Sequence, residues 1–169
     1  MWNRFFPDMR FDTVYEIPYK DLLARGKTAL VLDVDNTLAP YFVQRPPVKV
    51  TALISRLKKM GFKLCLLSNN RGARLSTFNE ALGLPAVHMA MKPLAFGMRR
   101  AMRMMGAVPE NTVLIGDQIF SDIWCGKRTG VTTILTNPIS PREALTVRLK
   151  RMLEKPVLRA YEHFLEASQ

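Results

Sequence analysis

Five short, largely apolar runs, at residues 28–32, 62–67, 86–89, 112–115 and 131–135, constrain the fold more than any other feature of this chain. Each has the length of a buried strand. Helical stretches lie between them, at 48–60, 71–82, 93–105 and 119–128. Gly61, Gly83 and Gly106 close the first three, where a left-handed residue ends a helix at no steric cost. Pro93 opens the third, at a position where its missing N–H is not needed. Strands alternating with helices of this length make βαβ units, and right-handed crossovers wind them into a parallel sheet covered on both faces. The expected fold is therefore α/β, a three-layer sandwich around a mostly parallel five-stranded sheet. Pro141 begins a last helical region that Pro156 is expected to kink or break. The 169 residues suit one domain, 1–169, with 1–26 and 137–169 as extensions packed on or beside the sheet, or facing a membrane.

Polar residues of one chemical kind follow these runs. Asp33 and Asp35 end the first strand, and Ser68, Asn69 and Asn70 the second. Lys92 follows the third, and Asp117 and Asp122 the fourth. Ligands of open α/β sheets bind outside the carboxyl ends of the strands, so four strands deliver these groups to one rim. Asp33, Asp35 and Asp117 would repel one another if left bare. A hard cation resolves this, and Mg²⁺ prefers a few carboxylates together with water and phosphate oxygens. Lys92 adds a point charge suited to phosphate, and Ser68 with nearby amides can donate hydrogen bonds to phosphoryl oxygens. Positioning and charge neutralisation are what phosphoryl transfer needs. A carboxylate can also be a covalent nucleophile, and a second carboxyl two residues on returns to the same side of an extended backbone.

The ordered set Asp33-Val34-Asp35-Asn36-Thr37, Ser68-Asn69, Lys92, and Gly116-Asp117 with Asp122 resembles the haloacid dehalogenase (HAD) superfamily of phosphatases. A closer resemblance rests on Phe6-Pro7-Asp8, Val14-Tyr15-Glu16-Ile17, Asp35-Asn36-Thr37-Leu38, Ser68-Asn69-Asn70, Lys92-Pro93 and Gly116-Asp117-Gln118. These look like the YqeG family of HAD type IIIA phosphatases, which is similar to the mitochondrial phosphatidylglycerophosphate phosphatase. The resemblance implies a HAD-like Rossmannoid fold and Asp33 as nucleophile, with Asp35 as acid and base. It implies Ser68 as phosphoryl donor, Asn69 beside it in phosphate binding, and Lys92 as charge stabiliser. Mg²⁺ would be held by Asp33, the Asp35 carbonyl and Asp117, with Thr37 and Asp122 supporting. Ser121 stands where the family pattern has threonine, and a hydroxyl is kept.

About thirty residues separate Thr37 from Ser68, enough for one helix and one strand, and the interval from Lys92 to Gly116 is filled in the same way. The chain is thus expected to be capless with an open site, which in this superfamily goes with macromolecular or membrane-bound substrates.

Other readings are weaker. A calcium loop beginning at Asp33 would need glycine and glutamate where Leu38 and Gln44 stand. A cysteine nucleophile would have to be Cys65 or Cys125, with His88 or His163 as base. Met98, Met102, Met104 and Met105 read as core filler, and Arg99, Arg100 and Arg103 as solvated.

Twenty-five basic against fourteen acidic residues leave a net charge of +11, which favours an anionic partner. No apolar run reaches the roughly 18 residues of a membrane span, and the start lacks a signal-peptide core, so a cytoplasmic location is expected. Between Arg142 and Arg159, basic residues interleave with Leu145, Val147, Leu149, Met152, Leu153, Val157 and Leu158 in a basic amphipathic pattern. The helix either covers the sheet with its basic face outward or lies on the inner face of an anionic membrane, with Trp2, Phe5 and Phe6 inserted beside it. The expected substrate is a lipid phosphate, phosphatidylglycerophosphate in the first place. The alternatives are a nucleic-acid or protein phosphate, or an RNA- or ribosome-binding module with a vestigial site.

Overall fold

In the computed structural model, which describes residues 2–70 and 72–167, twelve elements alternate along the chain. They run β1 (Met9–Phe11), α1 (Tyr19–Ala24), β2 (Ala29–Asp33), α2 (Val48–Lys59), β3 (Lys63–Leu67), α3 (Gly72–Glu80) and β4 (Ala86–Val87). Then come α4 (Ala95–Met105), β5 (Thr112–Gly116), α5 (Trp124–Thr129), β6 (Thr132–Thr136) and α6 (Leu145–Glu166). The sheet has six strands, not five, in the order β1-β6-β5-β2-β3-β4, and every pairing is parallel. Order reverses beside β2, the strand that leads into Asp33, which is where such sheets open a crevice for ligands.

The extra strand lies inside the segment expected to be an extension. β1 has three residues with Arg10 in its middle, so it shows no apolar run. It is fixed instead by pairing with β6 and by Asp8, whose carboxylate accepts the Thr133 N–H and hydroxyl (both 2.8 Å) and the Lys127 ammonium (2.6 Å). A short edge strand carrying a charge also discourages edge-to-edge association.

The period-2 alternation of β2 sorts the core. Leu30 and Leu32 face one layer, with Leu53, Ile54 and Leu57 of α2 and Leu75 and Phe78 of α3. Ala29 and Val31 face the other, with Met98, Ala101, Met102 and Met105 of α4 and Cys125 of α5. Three of the four methionines of α4 are core filler as expected; Met104 is exposed. All five residues of β2 are buried, so the strand that presents Asp33 is held from both faces.

Helix boundaries differ from expectation. The helix expected at 119–128 begins as a π-helical turn, Ile119–Ile123, before α5. The helix expected at 93–105 starts two residues later, at Ala95, and the one expected at 71–82 ends at Glu80; Arg71, its expected first residue, lies outside the described residues. The last helix, α6, starts at Leu145 and runs without a break through Pro156. Pro156 lies on the exposed side of the helix, as does Met152, whose carbonyl loses its helical partner there, and Val157 and Tyr161 hold the helix on its other side. There they pack with Phe6, Ile119, Ile123 and Leu135. Among the described residues, no helix is long and apolar enough to cross a membrane.

Candidate active site

β2 ends in Asp33, which is 5% exposed, and Lys92 reaches it from the loop after β4. The Lys92 ammonium donates to Asp33 Oδ1, to Asp122 Oδ1 (2.6 Å) and to the Leu67 carbonyl (3.3 Å). Lys92 is itself clamped: its N–H donates to Asn69 Oδ1 (2.8 Å) and its carbonyl accepts from Asn69 Nδ2 (3.1 Å). Asn69, expected on the phosphate, thus has its amide committed to the main chain of Lys92. Asp122 Oδ2 accepts the Gln118 N–H (3.0 Å). A side chain at Gly116 would place its Cβ 2.3 Å from the Asp122 carboxyl carbon, so only glycine lets β5 end against that carboxylate.

Asp117 follows β5 and is buried. Thr37 Oγ1 donates to its Oδ1 (3.0 Å), and the Arg151 guanidinium to its Oδ2 and its carbonyl. Carboxylate oxygens of Asp33, Asp117 and Asp122 lie within 4.8 Å of one another. Three carboxylates meet two cations, Lys92 and Arg151, and Asp33 Oδ2 is buried with no hydrogen-bond partner. The electrostatic result is a strained set of ionisations. Burial pushes the Asp33 carboxyl well above its usual range; Lys92 pulls it back, and Asp122, Asp117 and Asp35 push it up again. Burial also raises Asp117, to about 7, against the pull of Arg151. Burial disfavours the Lys92 ammonium, but Asp122 and Asp33 outweigh it and hold the amine charged. An unpartnered buried oxygen among hard carboxylate donors with surplus negative charge fits a small divalent cation.

Asp35 is half-buried two residues beyond Asp33, where the turn after β2 begins. Its Oδ1 accepts from Arg74 of α3, and its Oδ2 from Ser68 Oγ (3.1 Å) and Asn70 Nδ2 (2.7 Å). Arg74 is held in turn by the carbonyls of Pro40 (2.9 Å) and Val43 (3.1 Å). The Asn70 N–H donates to Ser68 Oγ (3.1 Å), which turns the hydroxyl toward Asp35.

All eight residues singled out from sequence therefore meet at one rim: Asp33, Asp35, Thr37, Ser68, Asn69, Lys92, Asp117 and Asp122. Sequence reasoning missed Arg74, Glu143 and Arg151. No cap is inserted after β2 or β4, but the site is less open than expected. A cleft of about 220 Å³ lies over Asp33, Asp35 and Lys92, and Ala144, Val147 and Lys150 at the start of α6 form one wall. The cysteine alternative fails on physical grounds. Cys65 and Cys125 are buried and free, and burial pushes both thiols up to about 12, which leaves no thiolate near neutral pH.

The family model of HAD-hydrolase-like proteins matches residues 89–138. The probable phosphatase YqeG of Bacillus subtilis is 32% identical over 161 residues, 95% of this chain and 94% of its own. The chloroplastic phosphatidylglycerophosphate phosphatase 1 of Chlamydomonas reinhardtii is 26% identical over 88% of this chain, which spans 59% of that protein's length. Among solved structures, the 3-deoxy-D-manno-octulosonate 8-phosphate phosphatase of Moraxella catarrhalis aligns with a TM-score of 0.52 at 13% identity. That match covers 89% of this chain and 99% of the other, and that structure holds a magnesium ion, a phosphate ion and a KDO molecule.

Proposed function

This chain belongs to the YqeG family of HAD phosphatases, and from that premise we propose that it hydrolyses a lipid phosphomonoester, with magnesium, through an aspartyl-phosphate on Asp33. The observation that carries the reading is the buried Asp33 carboxylate, with one oxygen on Lys92 and the other unpartnered, clustered with carboxylate oxygens of Asp117 and Asp122 within 4.8 Å.

Asp33, the Asp35 carbonyl and Asp117 would hold the metal, with Asp122 behind them. When bound, it neutralises charge on the transferring phosphoryl group and on the carboxylates around it. The chain's own residues do the rest. An Asp33 oxygen attacks phosphorus in line, and the bond from phosphorus to the leaving oxygen breaks. Asp35 gives that oxygen its proton. Lys92 balances the charge of Asp33 and Asp122 and faces the phosphoryl oxygens. Water then gives a proton to Asp35 and attacks phosphorus, the bond to Asp33 breaks, and inorganic phosphate leaves. Arg74 holds Asp35 Oδ1 and Asn70 stays on Oδ2, and Oδ2 carries the transferable proton once Ser68 turns its hydroxyl from Asp35 to the phosphoryl group.

Two observations favour a lipid. The plant-type relatives at 26% and 29% identity are named for phosphatidylglycerophosphate, although this chain spans only 59% and 44% of their lengths. In addition, Tyr41, Phe42, Met89 and Met91 are exposed apolar side chains on the loops that carry the site, where an amphiphile's body or a bilayer would cover them.

The direct test is phosphate release from phosphatidylglycerophosphate and from a soluble phosphomonoester, with and without Mg²⁺. Asp33→Asn is expected to lower both rates at least about 10³-fold, since it removes the nucleophile. Retained activity in that variant would end the assignment of Asp33.

A further inference from the structure

We infer that Arg151, carried by the C-terminal helix α6, is a positioning residue that holds Asp117 for the metal, so that α6 is a working part of the site. The inference rests on reading Asp33 and Asp117 as the magnesium ligands.

The Asp117 side chain is fully buried, and both of its oxygens are engaged. Thr37 fixes one. Arg151 takes the other with Nη2, while its Nη1 reaches the Asp117 carbonyl, so one planar guanidinium grips the side chain and the main chain of the same residue. Arg151 is fixed in turn. Its Nη2 and Nε donate to Glu143 Oε1 (2.8 and 3.2 Å), and its Nη1 lies 3.5 Å from Glu154. Glu154 is anchored by the Phe120 N–H (3.0 Å). Glu143 also accepts from Asn36 Nδ2 (2.9 Å), and Asn36 and Thr37 are chain neighbours.

The result is a closed ring from Asn36 through Glu143, Arg151 and Asp117 to Thr37. It ties the loop after β2 and the end of β5 to α6. A surface ion pair does not look like this: the Arg151 side chain is 19% exposed and its partners are buried or nearly so. Partners behind a metal's ligands set ligand orientation, and losing one typically costs 10- to 100-fold in metal affinity or activity. Lysine cannot reproduce the two-point grip, because its ammonium is a single point of charge.

The test is calorimetric titration of the full chain with MgCl₂, with melting temperature recorded for every variant. R151M is expected to bind Mg²⁺ about 10- to 100-fold more weakly than wild type. R151K should fall between the two, and saturating Mg²⁺ should restore most of the kcat lost in R151M. E143Q leaves Arg151 in place but removes the charge that aims it, so a smaller loss of affinity is expected. Wild-type Mg²⁺ affinity in R151M, with only the melting temperature lowered, would reduce Arg151 to a tether and overturn the inference. If R151M does not fold, wild-type affinity in both R151K and E143Q has the same force. A wild-type protein that binds no Mg²⁺ would overturn the proposed function as well, which separates the two failures.

Discussion

Asp117 and Asp33 sit where burial favours the neutral acid while the chemistry requires the charged base. The folded Asp117 carboxyl titrates at about 7 against an ordinary 3.8, with burial as the main cause. A carboxyl raised in this way holds more protons folded than unfolded between those values. Its contribution to stability is therefore lost as pH rises from about 4 to about 7, the reverse of the usual salt-bridged aspartate. Asp33 is shifted in the same direction. Asp8 runs the other way: burial opposes its charge, but Lys127 and Thr133 prevail and lower it, so its effect is confined to acid below that window. Mg²⁺ ligation requires deprotonated carboxylates and offsets their repulsion, so metal should stabilise most where the bare site is most strained. The rise in melting temperature on adding Mg²⁺ is thus expected to be larger at pH 8 than at pH 5. A calorimetric or fluorescence melt with and without Mg²⁺ across that range measures it. Equal increments at both ends would show that these carboxylates do not titrate with the metal.

α6 turns two different faces to its surroundings. Glu154, Val157 and Tyr161 are buried against the core, whereas Leu145 (79% exposed), Leu149 (64%), Met152 and Leu153 (63% each) form an apolar stripe on the opposite side. Exposed Arg148, Lys155 and Arg159 flank that stripe. An interfacial helix on anionic lipid has this arrangement. L149E combined with M152E is expected to weaken binding to anionic vesicles at least about tenfold, since each side chain is worth roughly 1.5–3 kcal/mol when fully buried. Activity on a soluble phosphomonoester should be unchanged. Flotation with phosphatidylglycerol vesicles reads the first effect, and undiminished flotation would leave the stripe without this role. The same helix shows what sequence could and could not reveal. β2 to β6 and the eight rim residues were legible because the signal is local: an apolar run with polar groups within about six residues after it. β1 was not, since three residues with a central arginine owe their strand to β6, more than 120 residues away. Arg151 was not, because its partner Asp117 lies on another element and six basic residues share the segment 142–159. The available clue was Glu154, one acid on the helical stripe it shares with Val157 and Tyr161, with Arg151 one turn before it. Arg74 gave no such clue, and its place on Asp35 comes only from the packing of α3 beside the loop after β2.

For the molecule as a whole, a net charge of +11 acts at longer range than any of these contacts. It raises the local concentration of an anionic surface before docking, and salt screens it over about 8 Å at physiological ionic strength. The apolar stripe of α6 and the exposed side chains of the rim act only on contact and are insensitive to salt. The two contributions can therefore be separated. Hydrolysis of phosphatidylglycerophosphate carried in anionic vesicles should fall several-fold between about 50 and 300 mM salt, as attraction to the surface is screened. The same substrate in neutral detergent micelles should lose little, because docking there depends on apolar contact alone. Polynucleotide competes for a basic surface in either setting, so its addition tells lipid from nucleic acid: a lipid phosphatase regains its full micellar rate once salt displaces the polymer. A rate on vesicles that ignores salt, together with inhibition by polynucleotide in micelles that persists at high salt, would move the substrate from lipid to nucleic-acid phosphate while leaving Asp33 as the nucleophile.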